Sequence, residues 1–246
     1  MYTLLLIIFS MIVSLILTPI VIKVSHKLGI VDQPNFRKVH TKPISVLGGT
    51  VILLSFLVGI WLGHPIETEV KPLVIGSVLI YLVGLIDDIY DLKPIMKLLG
   101  QVIAALVVVY YGVTIDFISL PIGPTIHFGI FGIPITVIWI VAITNAINLI
   151  DGLDGLASGV SMIALMTIGF IAILQANIFI IMICSVLIGA LLGFLFFNFH
   201  PAKIFLGDSG ALLVGFIVGF LSLLGFKNIT FVSLFFSIVI LAVPFI

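Results

Sequence analysis

The stretch NAINLIDGLDGLASG, residues 145–159, places Asn145, Asn148, Asp151 and Asp154 at intervals of three just beyond an apolar run, 133–144. On a helix this spacing drifts only slowly around one face. Gly152 and Gly155 permit a non-helical exit and close backbone approach to a ligand. Amide and carboxylate oxygens are hard ligands that suit Mg²⁺ bridging to substrate phosphates. The D-x-[DN]-x-[DN]-G spacing of a calcium loop is absent. Hydrogen bonding between helices in a bilayer explains Asn145, but not the two carboxylates beyond it.

Three further stretches carry comparable chemistry. In GLIDDIYDLKPIMK, Asp87, Asp88 and Asp91 gather at the end of an apolar segment, and Asp87 and Asp91 share a face if the helix continues. Carboxylates are disfavoured at a helix C-terminus and need a cation, which Lys93, Lys97 or a divalent metal would supply. In FNFHPAKIFLGDSGA, Asp208 and Ser209 lie between two glycines where an apolar segment begins. A helix N-terminus favours anions there, and an ordinary N-cap explains either residue alone. His200 and Lys203 add cationic or donor character. In DQPNFRKVHTKPISVLGG, Arg37, Lys38, His40 and Lys42 precede Gly48-Gly49. Such a basic segment binds anionic headgroups or steers a phosphorylated substrate with equal ease. Acids for a metal, lysines for phosphate and glycines for close approach together point to phosphoryl transfer at a membrane surface. No Walker, H-E-x-x-H or G-x-S-x-G pattern appears, so ATPase, zinc protease and serine hydrolase chemistry lack support.

The elements that must position these residues are membrane helices. The chain of 246 residues is 62% hydrophobic and 8% charged, too apolar for a soluble domain of this size. Zero formal net charge offers no basic surface for nucleic acid. The single cysteine, Cys184, excludes an intrachain disulfide. A span needs about 20 apolar residues. Candidates are 1–22, 46–63, 72–86, 95–112, 133–150, 159–174, 178–197, 210–226 and 230–246. The first lacks the basic n-region of a cleavable signal and is read as a retained helix. The run 159–197 is about twice too long for one crossing and is broken at Gln175-Ala176-Asn177. The loop 113–132 is expected to form a small hairpin.

The expected fold is therefore an all-α polytopic membrane protein of about nine helices in one domain, 1–246. Eight of the ten Lys and Arg residues fall in the loops after spans 1, 3, 5 and 7, which makes those loops cytoplasmic and puts the N-terminus outside. Seven of the ten carboxylates share that side, among them Asp87, Asp88, Asp151, Asp154 and Asp208, although the rule does not count acids.

The four stretches, in this order from Pro34 to Gly215, closely resemble the polyprenyl-phosphate N-acetylhexosamine-1-phosphate transferases, the membrane family that opens bacterial cell-wall polymer synthesis. Within it the chain looks most like the enzymes that prime wall teichoic acid with N-acetylglucosamine. The resemblance implies a reaction at the cytoplasmic face of the cell membrane. Undecaprenyl phosphate attacks the β-phosphorus of UDP-N-acetylglucosamine, and UMP leaves. It implies Mg²⁺ as cofactor with Asn148 and Asp208 as ligands. Asp87 and Asp88 would position or deprotonate the lipid phosphate. Asp151 would lie near the metal or diphosphate, Asp154 at the uracil, and Lys97, His40 and Lys42 on the substrate side. The partners are the lipid phosphate, the nucleotide sugar and the bilayer, with a homodimer as the assembly to test.

One feature departs from the family, which carries a further cytoplasmic loop with a histidine-rich motif and arginines. Here a single apolar run follows Phe226 and the sequence ends at LAVPFI. The expectation is a C-terminal truncation by about two crossings, with little activity of this chain alone. A transporter of a phosphorylated or nucleotide-linked solute is the alternative. Transporters place ionisable groups near the midplane, whereas these collect at one face.

Overall fold

A computed structural model describes residues 2–34, 42–119 and 125–226. Eight α-helices make up most of them: α1 (Tyr2–Leu28), α2 (Gly48–Gly63), α3 (Val70–Tyr90), α4 (Pro94–Tyr110), α5 (Gly132–Ile150), α6 (Leu156–Leu174), α7 (Ile178–Asn198) and α8 (Gly207–Phe226). Helices satisfy every backbone polar group internally, which the hydrocarbon interior requires. Six are long and apolar enough to cross a membrane, while α2 and α4 are shorter. The eight helices coincide in position with the first eight expected segments, six of them long enough to span. The ninth, 230–246, lies outside the described residues. The third expected span was short at 72–86, and the helix extends at both ends to reach 21 residues.

Local chemistry sets the breaks. α6 and α7 part at the expected place, where Ala176 takes φ 53° and the Asn177 side chain accepts from the Ile180 N–H at 3.1 Å, capping α7. Between α3 and α4, Asp91 turns left-handed at φ 52°, and Pro94 opens α4 where its missing N–H costs nothing. The expected hairpin forms as β3 (Phe117–Ser119) and β4 (Thr125–His127), paired antiparallel.

The core centres on α8. Five-sixths of its most apolar window is buried (83%), against 28% for α1, and α2, α3, α5, α6 and α7 all touch it. Lipid is as apolar as leucine, so helices in a membrane associate through small residues that let backbones approach. A Cβ on Gly84 of α3 would lie 2.4 Å from Ser209 Cα, and one on Gly215 of α8 would lie 2.7 Å from Thr144 Cα of α5. The Trp139 indole of α5 adds a hydrogen bond to Ser222 of α8 at 2.8 Å.

These contacts bring the C-terminal ends of α3 and α5 and the N-terminal ends of α2, α4 and α8 to one end of the bundle. A two-stranded sheet, β1 (Val31–Asp32) with β2 (Ile44–Ser45), lies at this end. The Phe205 N–H donates to Ser45 at 2.8 Å, and Gly48 and Gly49 donate back to Phe205 and Leu206 at 3.1 and 3.0 Å, which fixes the approach to α8.

Candidate active site

Four helices meet at Asp208, the second residue of α8. Its Oδ1 accepts from the Lys97 ammonium of α4 and from the Asn148 amide of α5, the latter at 2.5 Å. Lys97 also pairs with Asp87 Oδ2 of α3 at 2.8 Å. Asp87 is buried, and its Oδ1 accepts from the Leu92 N–H at 2.8 Å. One lysine thus bridges two carboxylates from different helices, and Lys97 is the cation paired with the acidic end of α3.

Asp88, the adjacent residue, faces elsewhere. Its Oδ1 accepts from the backbone N–H of Asp208 at 2.7 Å, and its Oδ2 from that of Ser209 at 3.0 Å. The N-terminus of α8 is therefore capped from α3, across 120 residues of chain, and not by Asp208 or Ser209 as the sequence suggested. A carboxylate at the positive end of a helix dipole is favourably placed. Gly207 makes this possible. Its φ is +74°, and a Cβ there would sit 2.2 Å from Val46 O and 2.9 Å from Asp88 Oδ2.

The three-residue periodicity of the 145–154 stretch does not survive as one helical face, because α5 ends at Ile150. Asn145 points to α4, where it exchanges amide hydrogen bonds with buried Gln101 at 2.5 and 3.1 Å. It is a helix–helix contact, as bilayer hydrogen bonding suggested. Asn148 reaches Asp208. Asp151 follows the helix end. Burial, then the negative charges of Asp208 and Asp88, push its carboxyl up to about 7. Asp154 lies on the turn into α6, and its Oδ2 accepts from His200 Nδ1 at 2.9 Å and from the Ala202 N–H at 3.0 Å.

The remaining expected residues separate. Helix α3 stops before Asp91, so Asp91 does not share a face with Asp87 and is exposed. Lys42 is exposed two residues before β2. His40 lies outside the described residues. One residue passed over in the sequence has a defined role here: Gln101, legible as a lone amide in an apolar run. His200, noted within the third motif only as a donor or cation, has a specific partner in Asp154.

Among the described residues, no three Asp, Glu, His or Cys side chains gather closely enough to cage an ion. Mg²⁺ needs no such cage, since it takes one or two protein ligands and fills its octahedron with water and phosphate oxygens. The residues fit that style of site. Asp208 keeps Oδ2 beyond the oxygen held by Lys97 and Asn148, and Asp151 is a half-buried carboxyl raised by desolvation first and then by two acidic neighbours.

Comparison with known proteins supplies the family. The glycosyl transferase family 4 model matches residues 71–226. The chain is 43% identical over 238 residues to a probable undecaprenyl-phosphate N-acetylglucosaminyl 1-phosphate transferase of Bacillus subtilis, covering 96% of this chain and 66% of that protein. It is 34% identical over 213 residues to a decaprenyl-phosphate N-acetylglucosaminephosphotransferase of Mycolicibacterium smegmatis, covering 78% and 52%. It is 36% identical over 235 residues to a phospho-N-acetylmuramoyl-pentapeptide-transferase of Wolbachia pipientis, covering 87% and 72%. The chain thus spans about half to two thirds of the length of the first two relatives. None of these names favours the transporter alternative. The extent of the family match and the relatives' coverage establish membership: the chain belongs to glycosyl transferase family 4, the polyprenyl-phosphate N-acetylhexosamine-1-phosphate transferase family that its four motifs resemble.

Proposed function

We propose that the chain transfers N-acetylglucosamine 1-phosphate from UDP-N-acetylglucosamine to undecaprenyl phosphate at the cytoplasmic face of the cell membrane, the first membrane step of a teichoic acid-type pathway. The observation that carries this reading is the convergence of Asp87, Lys97, Asn148 and Asp208 from four helices at one end of the bundle. In the reaction, an oxygen of the lipid phosphate forms a bond to the β-phosphorus. The bond from that phosphorus to the bridging oxygen breaks, and UMP departs with the electron pair.

Each residue has a part consistent with its contacts. Lys97 places positive charge where phosphate oxygens gather, and Asp87 holds its ammonium in place. Asp88 holds the N-terminus of α8, and with it Asp208, in register, which makes it a positioning residue. Asn148 and Asp208 would hold Mg²⁺, which supplies charge neutralisation of the diphosphate. Asp151 lies beside them, its raised carboxyl answering to added positive charge. Asp154 contacts the nucleotide. His40 and Lys42, on the segment leading to α2, draw in the anionic substrates.

The test is UMP release by the complete gene product in membranes, with undecaprenyl phosphate and UDP-N-acetylglucosamine, with and without Mg²⁺. Release requiring both substrates and the metal is expected. Asp208→Asn should reduce it by about 10²-fold or more while thermal unfolding stays unchanged. Metal-independent release, or near-normal rates in Asp208→Asn, would overturn the assignment.

A further inference from the structure

Asp154 and His200 stand apart from the cluster around Asp208, yet they are locked together. A single oxygen, Asp154 Oδ2, accepts from both His200 Nδ1 at 2.9 Å and the Ala202 N–H at 3.0 Å. The backbone that carries the imidazole is fixed on either side. The Phe199 N–H donates to Leu195 at 2.8 Å, and the Lys203 N–H to Phe197 at 2.8 Å. Buried Asn198 donates to Ile204 O at 3.0 Å and accepts from Ser158 of α6 at 2.9 Å. The Ser158–Asn198 and Asp154–His200 pairs thus form two rungs between the start of α6 and the end of α7.

The Asp154–His200 rung is open to solvent on the histidine side. The His200 side chain is 73% exposed, against 25% for Asp154. A ring so open to solvent contributes little packing, and a pair so exposed contributes little stability. Its geometric effect is specific. The Ala202 N–H and the imidazole approach one carboxylate oxygen together, which selects one orientation of the carboxyl group and leaves Oδ1 as the acceptor that the turn presents.

We propose that His200 is a positioning residue of the active site. Through Nδ1 it holds Asp154 so that Oδ1 receives an N–H or O–H donor of the bound nucleotide. This rests on the reading above that Asp154 contacts the nucleotide.

Two substitutions separate positioning from direct contact. Asparagine places an amide nitrogen where Nδ1 stands, whereas glutamine places one near Nε2. UMP binding to the full-length protein in detergent, measured by calorimetry, is the readout, with thermal unfolding recorded for every variant. His200→Ala should weaken UMP binding about tenfold, His200→Asn should retain most of the affinity, and His200→Gln should behave like alanine. In the Asp154→Ala background, His200→Ala should have no further effect, because it acts only through the missing carboxylate. Retention by glutamine but not asparagine, or an undiminished effect in that background, would show direct contact with the ligand and overturn the proposal. If Asp154→Ala weakens binding while His200→Ala does not, the proposal alone fails. If Asp154→Ala leaves UMP binding intact, the nucleotide reading of Asp154 fails and the proposal with it. Should His200→Ala unfold, the asparagine and glutamine pair still decides the matter.

Discussion

Adjacent or near-adjacent carboxylates do different work at this site, and the differences follow from what each oxygen touches. Asp87 is balanced by Lys97, whereas Asp88 is spent on two backbone N–H groups of α8. Asp88→Ala should leave those donors without a partner and cost about 1–3 kcal/mol, read as a lowered unfolding temperature in detergent. Asp88→Asn, which keeps one acceptor oxygen, should cost less. Equal stability of wild type and Asp88→Ala would remove the capping role. Asp151 makes a pH prediction. Its carboxyl is raised from 3.8 to about 7 in the folded protein. A group raised on folding contributes stability that is fully present below its unfolded value and lost as pH rises through its folded value. The metal-free protein should therefore lose stability between pH 3.8 and about 7 on this account. Asp151→Asn should flatten that slope, so the variant gains on wild type at about pH 8 relative to about pH 5. Parallel unfolding curves for the two proteins at both pH values would contradict the assignment.

At the scale of elements, the site depends on how closely α3 and α5 approach α8. Gly84 and Gly215 set those distances, because a Cβ at either would meet backbone atoms, which cannot rotate away. Gly84→Ala should separate α3 from α8, at a cost of about 1–3 kcal/mol or more. It should also displace Asp87 and Asp88 from their partners. Gly159→Ala is the control. Nothing lies within 4 Å of its Cβ, and alanine favours the helix by up to about 1 kcal/mol. Thermal unfolding of both variants checks the pair, and a well-tolerated Gly84→Ala would show that the approach is not what positions the acids. Helix boundaries were largely legible from sequence, since α6 and α7 part at residues 175–177 and the hairpin forms within 113–132 as expected. The end of α3 was not. Continuing it through Asp91 put Asp87 and Asp91 on one face, whereas the left-handed turn at Asp91 turns the second carboxylate out to solvent.

At the scale of the whole molecule, the motif-bearing helix ends share one end of the bundle, and the β3–β4 hairpin lies by the opposite end, against the start of α5. The positive-inside rule predicts that the motif end is cytoplasmic. A labelling experiment checks this. The only cysteine, Cys184, is buried, so the wild-type background should be silent to an impermeant maleimide. Lys203→Cys should react only after the membrane is opened, and Thr114→Cys should react in intact cells. Reaction of Lys203→Cys in intact cells would reverse the orientation.

Composition and hydropathy alone determined that this is a helical membrane protein, because apolar runs of bilayer length have no other stable use. The order of the four motifs likewise determined the family. Which acids act together was decided only by tertiary structure. Sequence spacing grouped Asn145 with Asn148, and Asp87 with Asp91, but packing sends Asn145 to Gln101 and Asp91 to solvent, while joining Asn148, Asp87 and Lys97 to Asp208. The physical reason is range. Periodicity reports which residues share a face within one helix, whereas the Asp88 cap spans 120 residues and the Lys97–Asp208 contact 111, distances closed only when glycines let separate helices touch.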